Sequence, residues 1–462
     1  MRLWHDRPGD GAQASPGILL VLGVLALMLV LVLLHTPWLN GPPYVDWDYR
    51  RLTPWIYPRM ALALGPLLLG QWLHWQRGAT RAGLLLLMLA SFILELASLG
   101  SQQEPYSLLR VVRIVREPEL TSYFFEGVRF LDMLPAVGVR GWFENFPDLL
   151  EGMRQHARYR APGALLYYAM FMHLVGSEGG AALLGGLVLG LLATLGVVAT
   201  YDLVRVVTGD RRAAFSAASY FSVLPSLTVF FPECDQVYPA LGALAAALWV
   251  RALEKRRSAH AVAFGAVFAV ALFFSYIFLQ LGVFLLGWLL VALVRRRLQL
   301  REGAIAVLLA LAGLVLFYLP LWSTTGFDPV ATFLKAYHVH AKDLLQLRRP
   351  AYPGHVPFDV LDFVLGSGWA ALPLTVLWWW PQREETKRLL APVVLCLLQV
   401  SIPLLAGRLP GETARLSLYL YPFFMVLVGL ELARWPPAAR TITLVALWLV
   451  TAVLAQNMLF VL

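Results

Sequence analysis

Long apolar runs decide what this chain can become. They lie near residues 17–38, 59–75, 82–99, 181–204, 213–231, 237–252, 261–277, 279–294, 303–321, 358–380, 388–406, 414–433 and 440–461. At about twenty residues per span, with some tilt or shortening, this makes about thirteen crossings. A backbone in hydrocarbon must satisfy its own hydrogen bonds, so only helices or a closed barrel can cross. The stretch 17–34 is continuously apolar and shows none of the alternation of a barrel strand. Charged residues make up only 14% of the chain and hydrophobic residues 59%, whereas a soluble domain is about one-quarter charged. The predicted fold class is all-α, a polytopic membrane helix bundle. Residues 261–294 exceed one span and are flanked by arginine-rich turns, so a tight hairpin is expected near residues 276–279.

The net charge of +9 does not point to nucleic acid. Arginines concentrate in short turns (Arg205, Arg211 and Arg212; Arg251, Arg256 and Arg257; Arg295, Arg296, Arg297 and Arg301), as cytoplasmic loops do when they orient a bundle. Cys234 falls in a polar turn and Cys396 inside a span, which argues against a mutual disulfide and a thiol metal site. Residues 17–34 read as a retained signal anchor, because no small-residue cleavage site follows them.

One long polar interruption, residues 101–163, separates an apolar run from residues 164–175, which are too short to cross. With the amino terminus inside, a non-crossing 164–176 helix keeps every strongly basic short turn cytoplasmic. The competing solution places the amino terminus outside and lets this stretch cross, and the arginines of the long loop favour it. Long loops obey the charge rule poorly, so the first solution is taken. The outer face then collects residues 40–59, 101–163, 177–180, 232–238, 323–357 and 408–415. Residues 106–115, 119–134 and 146–159 read as juxtamembrane helices, the first of them amphipathic.

Loops carry chemistry that lipid-facing helices cannot. The long loop holds Glu104, Glu117, Glu119, Glu126 and Asp132 among Tyr123, Phe124 and Phe125. A carboxylate there can act as general base, and an acid on an exposed helix can equally be merely solvated. In the run His156-Ala157-Arg158-Tyr159-Arg160-Ala161-Pro162-Gly163, guanidinium forks suit a phosphate leaving group, with interfacial snorkelling as the bland alternative. Further binding candidates are Asp235 in Phe231-Pro232-Glu233-Cys234-Asp235-Gln236, then His338, His340 and Arg348, then Glu412 and Arg415. His338 and His340 would face differently on a helix and make a poor chelate. Asp46-Trp47-Asp48 could ligate a divalent cation, or pair with Arg50 and Arg51.

The order of these features is a span, an external loop with acids, a basic-proline-glycine signature before a short aromatic helix, a Gly-Asp-Arg-Arg turn, and an acid after a proline. It resembles the GT-C superfamily of polytopic glycosyltransferases, in particular the protein O-mannosyltransferase and aminoarabinose-transferase-like branch. The resemblance is best over residues 117–235, with weaker echoes over 327–363 and 411–422; Ala161 stands where the family carries a second proline. It implies a single GT-C-like domain over residues 1–462. It also implies an inverting hexosyl- or pentosyltransferase of the cell (inner) membrane, with its active face extracytoplasmic. The donor would be a polyprenyl-phosphate sugar, bound where its chain meets membrane lipid, and the acceptor a protein, lipid or glycan. Glu119 corresponds best to the family's catalytic acid, Glu126 next, and Asp46 or Asp48 could hold the role instead. Some relatives use a divalent cation (Mg or Mn) and others none. A transporter or flippase of lipid-linked saccharides is the alternative, although Glu95 and Asp202 are the main acids within spans and no repeat is visible. A relative that binds the lipid without turnover is a third reading.

Overall fold

The computed structural model describes residues 11–40, 48–49, 55–99, 108–117, 121–154, 156–346, 352–379, 384–407 and 413–459. These are helical apart from connecting turns and one short antiparallel pairing, Asp48–Tyr49 with Met458–Leu459. Eight helical segments are long and apolar enough to cross a bilayer: Pro16–Leu33, Thr80–Ser98, Glu178–Thr208, Cys234–Lys255, Tyr276–Val294, Leu300–Thr325, Arg388–Leu405 and Pro437–Asn457. Val356–Gly366 and Ala371–Trp379, bent by 95°, make a ninth if they count as one. Other expected runs are shorter or broken. Residues 59–75 fall on two helices, Ile56–Ala61 and Leu64–Arg77, and residues 213–231 on Arg211–Phe221 and Pro225–Val229. Proline at the first helical position starts a new helix readily, which explains the break before Pro225.

The expected hairpin is present: Ser258–Phe274 ends in the 3-10 turn Tyr276–Leu281, and Gly282–Val294 returns. The basic turns are locally well built. Gly209 closes one helix with φ 76°, and Asp210 opens the next by accepting hydrogen bonds from the Arg212 and Ala213 amides at 2.7 and 3.3 Å. Ion pairs Arg256–Glu302 (2.7 Å) and Arg297–Glu254 (3.7 Å) join neighbouring turns at this end of the bundle.

Every residue of Tyr421–Leu432 is buried, so this helix forms the middle of the bundle. Gly429 lets the backbone of Ala213 approach it closely. Ser258–Phe274 crosses Leu300–Thr325 backbone to backbone, with Gly265 against the Ala310 carbonyl and Gly313 against the Val262 carbonyl. Helices in lipid gain by such close van der Waals approach, since apolar side chains gain nothing by leaving hydrocarbon. The outer face of Leu300–Thr325 keeps Leu308, Leu311, Leu316 and Trp322 exposed, as lipid contact requires. The chain is a multi-pass membrane protein.

Opposite the basic turns, shorter helices form a cap. Leu109–Arg116 presents Val111, Ile114 and Val115 inward, with Arg113 and Arg116 in its last turn. Tyr123–Glu144 follows, broken at Gly138 (φ 69°). Only Phe146–Leu149 and two 3-10 turns form across the expected 146–159 helix. Gly163–Val175 and Glu178–Ala193 make a tight antiparallel hairpin: the Tyr167 hydroxyl donates to the Gly185 carbonyl at 2.6 Å, and Gly180 meets Val175.

Candidate functional site

The cap and the bundle meet at a buried set of charges. Arg160 follows the 3-10 turn Ala157–Tyr159, and Gly163, two residues after Ala161, starts the next helix against the Phe273 backbone. That contact leaves no room for a Cβ and holds the segment to the end of Ser258–Phe274. From there the Arg160 Nη1 donates to the Ser275 hydroxyl at 2.6 Å and the Tyr238 hydroxyl at 2.8 Å, and stands 3.2 Å from Asp235 Oδ1. Arg415 reaches the same turn from the far end of the sequence. Its Nε lies 3.5 Å from Asp235 Oδ2 and its Nη1 3.9 Å from Glu233 Oε2. The side chains of Arg415, Glu233 and Asp235 are each at most 5% exposed. Two guanidinium groups and two carboxylates therefore balance one another in a place where an unpaired charge would be costly.

Tyr123 borders this set. Burial pushes its phenol above the ordinary range, with Arg160 pulling the other way and Asp235 adding to the rise. The hydroxyl stays protonated at neutral pH.

A second layer lies outward. Ser122, with φ 52°, receives the Ala157 amide on its hydroxyl at 3.0 Å. Glu126, 2% exposed, accepts the Arg154 amide at 3.0 Å and has Arg129 at 3.5 Å. The start of Tyr123–Glu144 thus ties down the segment that carries Arg158 and Arg160. Arg158 pairs with Asp343 at 3.2 Å, and the Tyr159 hydroxyl donates to the same carboxylate at 2.5 Å. Burial, then Asp343, pushes the Tyr159 phenol up, so it acts as donor there. Lys335 pairs with Glu151 at 2.7 Å. Residues 121–163 and the helix Pro329–Gln346 are therefore one layer at one end of the bundle.

The structure brings Arg160, Asp235 and Arg415 together, pairs Arg158 with Asp343, and sets the His340 ring 5.1 Å from that of Tyr159. His156 is half-buried in the preceding turn. His338 is exposed, with its Nδ1 2.6 Å from its own helix's Leu334 carbonyl, so it does not join His340. Glu119, Asp46, Arg348 and Glu412 lie outside the described residues, as does the Asp48 side chain, whose backbone pairs with Leu459. Among the described residues no three His, Cys, Asp or Glu side chains gather as a metal-binding group.

Sequence reasoning missed several members. Glu233, Tyr238 and Ser275 belong to the central set. Asp359 and Asp362 lie three apart on Val356–Gly366, a spacing that puts both on one face and could have drawn attention. Asp359 accepts from the Thr413 hydroxyl at 3.1 Å and Asp362 from the Ala414 amide at 3.0 Å. They hold the turn that aims Arg415.

Residues 159–322 match the family model of dolichyl-phosphate-mannose-protein mannosyltransferase, about a third of the chain. The match supports a GT-C-type membrane glycosyltransferase. It takes in Arg160, the hairpin, Asp235, Tyr238 and Ser275, and it stops short of Glu126 on one side and Arg415 on the other. No curated protein matches the chain.

Proposed function

We propose that this protein transfers a sugar from a polyprenyl-phosphate donor to a hydroxyl or amine acceptor at the capped, extracytoplasmic end of the bundle. One observation carries the reading. All three polar contacts of Arg160 fall on Nη1, so its Nε and Nη2 have no acceptor among the described residues. An arginine fork with one edge anchored and the other open suits a phosphate arriving at headgroup depth. Asp235 and Glu233 hold Arg160 and Arg415 in place so that no reorganisation is needed as charge develops on the departing phosphate. The tight basic turns at the opposite end support the outward orientation.

Inverting transfer needs an acid that removes the acceptor proton as the acceptor attacks the anomeric carbon. Glu126 is engaged with the Arg154 amide and serves best as a positioning residue, which leaves Glu119, seven residues earlier, as the base. The test is transfer from a synthetic polyprenyl-phosphate sugar by purified protein, with donor binding measured alongside. Glu119→Gln should lower transfer by roughly 10²–10⁴-fold with donor binding kept, and Arg160→Gln should weaken donor binding itself. A flippase would be indifferent to both carboxylate changes, so wild-type transport by Glu119→Gln and Glu126→Gln, with no transfer by either or by the parent, defeats the proposal.

A further inference from the structure

At the opposite end of the bundle, Arg440 stands in the first turn of Pro437–Asn457 and is only 5% exposed. Its guanidinium carbon lies 3.5 Å from the centroid of the Trp75 ring. Among the described residues it makes no side-chain hydrogen bond and no ion pair, and its Nε is buried without an acceptor. Among the described residues no carboxylate pairs with it, and its charged neighbours are Arg212 and His74.

The surroundings are built and rigid. Trp75 donates its indole N–H to Gln71 at 3.0 Å, and Gln71 donates to Ser219 at 2.6 Å. His74 stacks on Phe215 with ring centroids 3.7 Å apart and meets the Thr80 hydroxyl through Nδ1 at 3.1 Å. Glu431, the acid that precedes this helix in the sequence, is engaged by Arg434 and Trp435. A stacking contact with Trp75 satisfies the face of the guanidinium but none of its five N–H donors. A buried cation facing a second arginine persists when an anion completes the site.

We infer that Arg440, backed by Trp75 and flanked by Arg212 and His74, binds a phosphate anion at the basic end of the bundle. The helix end places that phosphate at the membrane boundary, where phospholipid headgroups supply it, while free phosphate has the same chemistry. This inference is independent of the transfer reaction.

The experiment uses the full-length protein in a phosphate-free maltoside detergent, with phosphatidylglycerol or inorganic phosphate added in separate arms. Lipid phosphate retained per protein and the unfolding midpoint are read for the parent, Arg440→Gln and Arg212→Gln. Phosphatidylglycerol should be retained by the parent and raise its midpoint, with retention roughly tenfold weaker in Arg440→Gln, as expected for loss of a charge-assisted hydrogen bond, and reduced to a lesser degree in Arg212→Gln. Protection by inorganic phosphate alone, with the same dependence on Arg440, assigns the site to a soluble anion. Equal retention and equal midpoints in parent and variants overturn the inference. If Arg440→Gln does not fold, an unchanged Arg212→Gln overturns it by itself.

Discussion

The two ends of this bundle bury the same residue type under opposite rules. At the capped end Arg160 and Arg415 share Asp235, and Glu233 completes the balance. At the basic end Arg440 lies against an indole, with no carboxylate paired to it among the described residues. Among the described residues the first arrangement sets each guanidinium against a carboxylate, and in the proposed function the donor phosphate meets the open edge of the Arg160 fork. The second is open, so whatever completes it must bring the negative charge. A buried arginine thus reports on function only once its partners have been counted.

The largest expected effect tests that contrast directly. Asp235→Ala removes the carboxylate that Arg160 and Arg415 share and should lower stability by about 3–5 kcal/mol, the usual result of breaking a buried pair. Denaturant unfolding in a fixed detergent measures it, and a loss under about 1 kcal/mol would mean the capped end is not held by pairing. Next, Asp362→Asn weakens the hydrogen bond that seats Ala414 beside Arg415, for about 1–2 kcal/mol. Transfer assays on this variant should show a lower rate with little change in folding cooperativity; a rate equal to the parent's detaches Asp362 from the site. The smallest effect belongs to the other end. Arg440→Met removes a charge that has no ion-pair partner among the described residues, so in a phosphate-free detergent it should change stability by no more than about 1 kcal/mol, the lost stacking offsetting the relieved burial. A loss as large as that of Asp235→Ala would erase the distinction between the ends.

How far these ends were readable in the sequence differs as well. Apolar runs identified an all-α membrane bundle, and the turn near residues 276–279 followed from length and flanking arginines alone. Hydropathy does not record where a helix breaks, which is why residues 59–75 and 213–231 appear continuous and are not. Asp235 and Arg415 stood out as polar groups beside spans, and Arg160 as a guanidinium fork in the basic run before a helix read as non-crossing. Their mutual contact joins residues 180 positions apart (235 and 415), and pairing of that range leaves no local trace. Glu126 stood out as a base, yet its visible work is to hold the Arg154 amide. Arg440 could not be distinguished from the other arginines flanking spans, because what sets it apart is its stacking on Trp75 with no carboxylate paired to it among the described residues.

The crossing at Gly265 and Gly313 has a consequence at some distance. Leu300–Thr325 turns through Gly326 and Phe327 into Pro329–Gln346, the helix that carries Asp343 to Arg158 and Tyr159. With backbones touching at that crossing, the long helix behaves as a lever pinned near its middle, and the roof over the arginine segment hangs from its outer arm. A bulkier residue at the pin would tilt the arm and lift the roof, shifting the Arg158–Arg160 segment without altering a single residue in it.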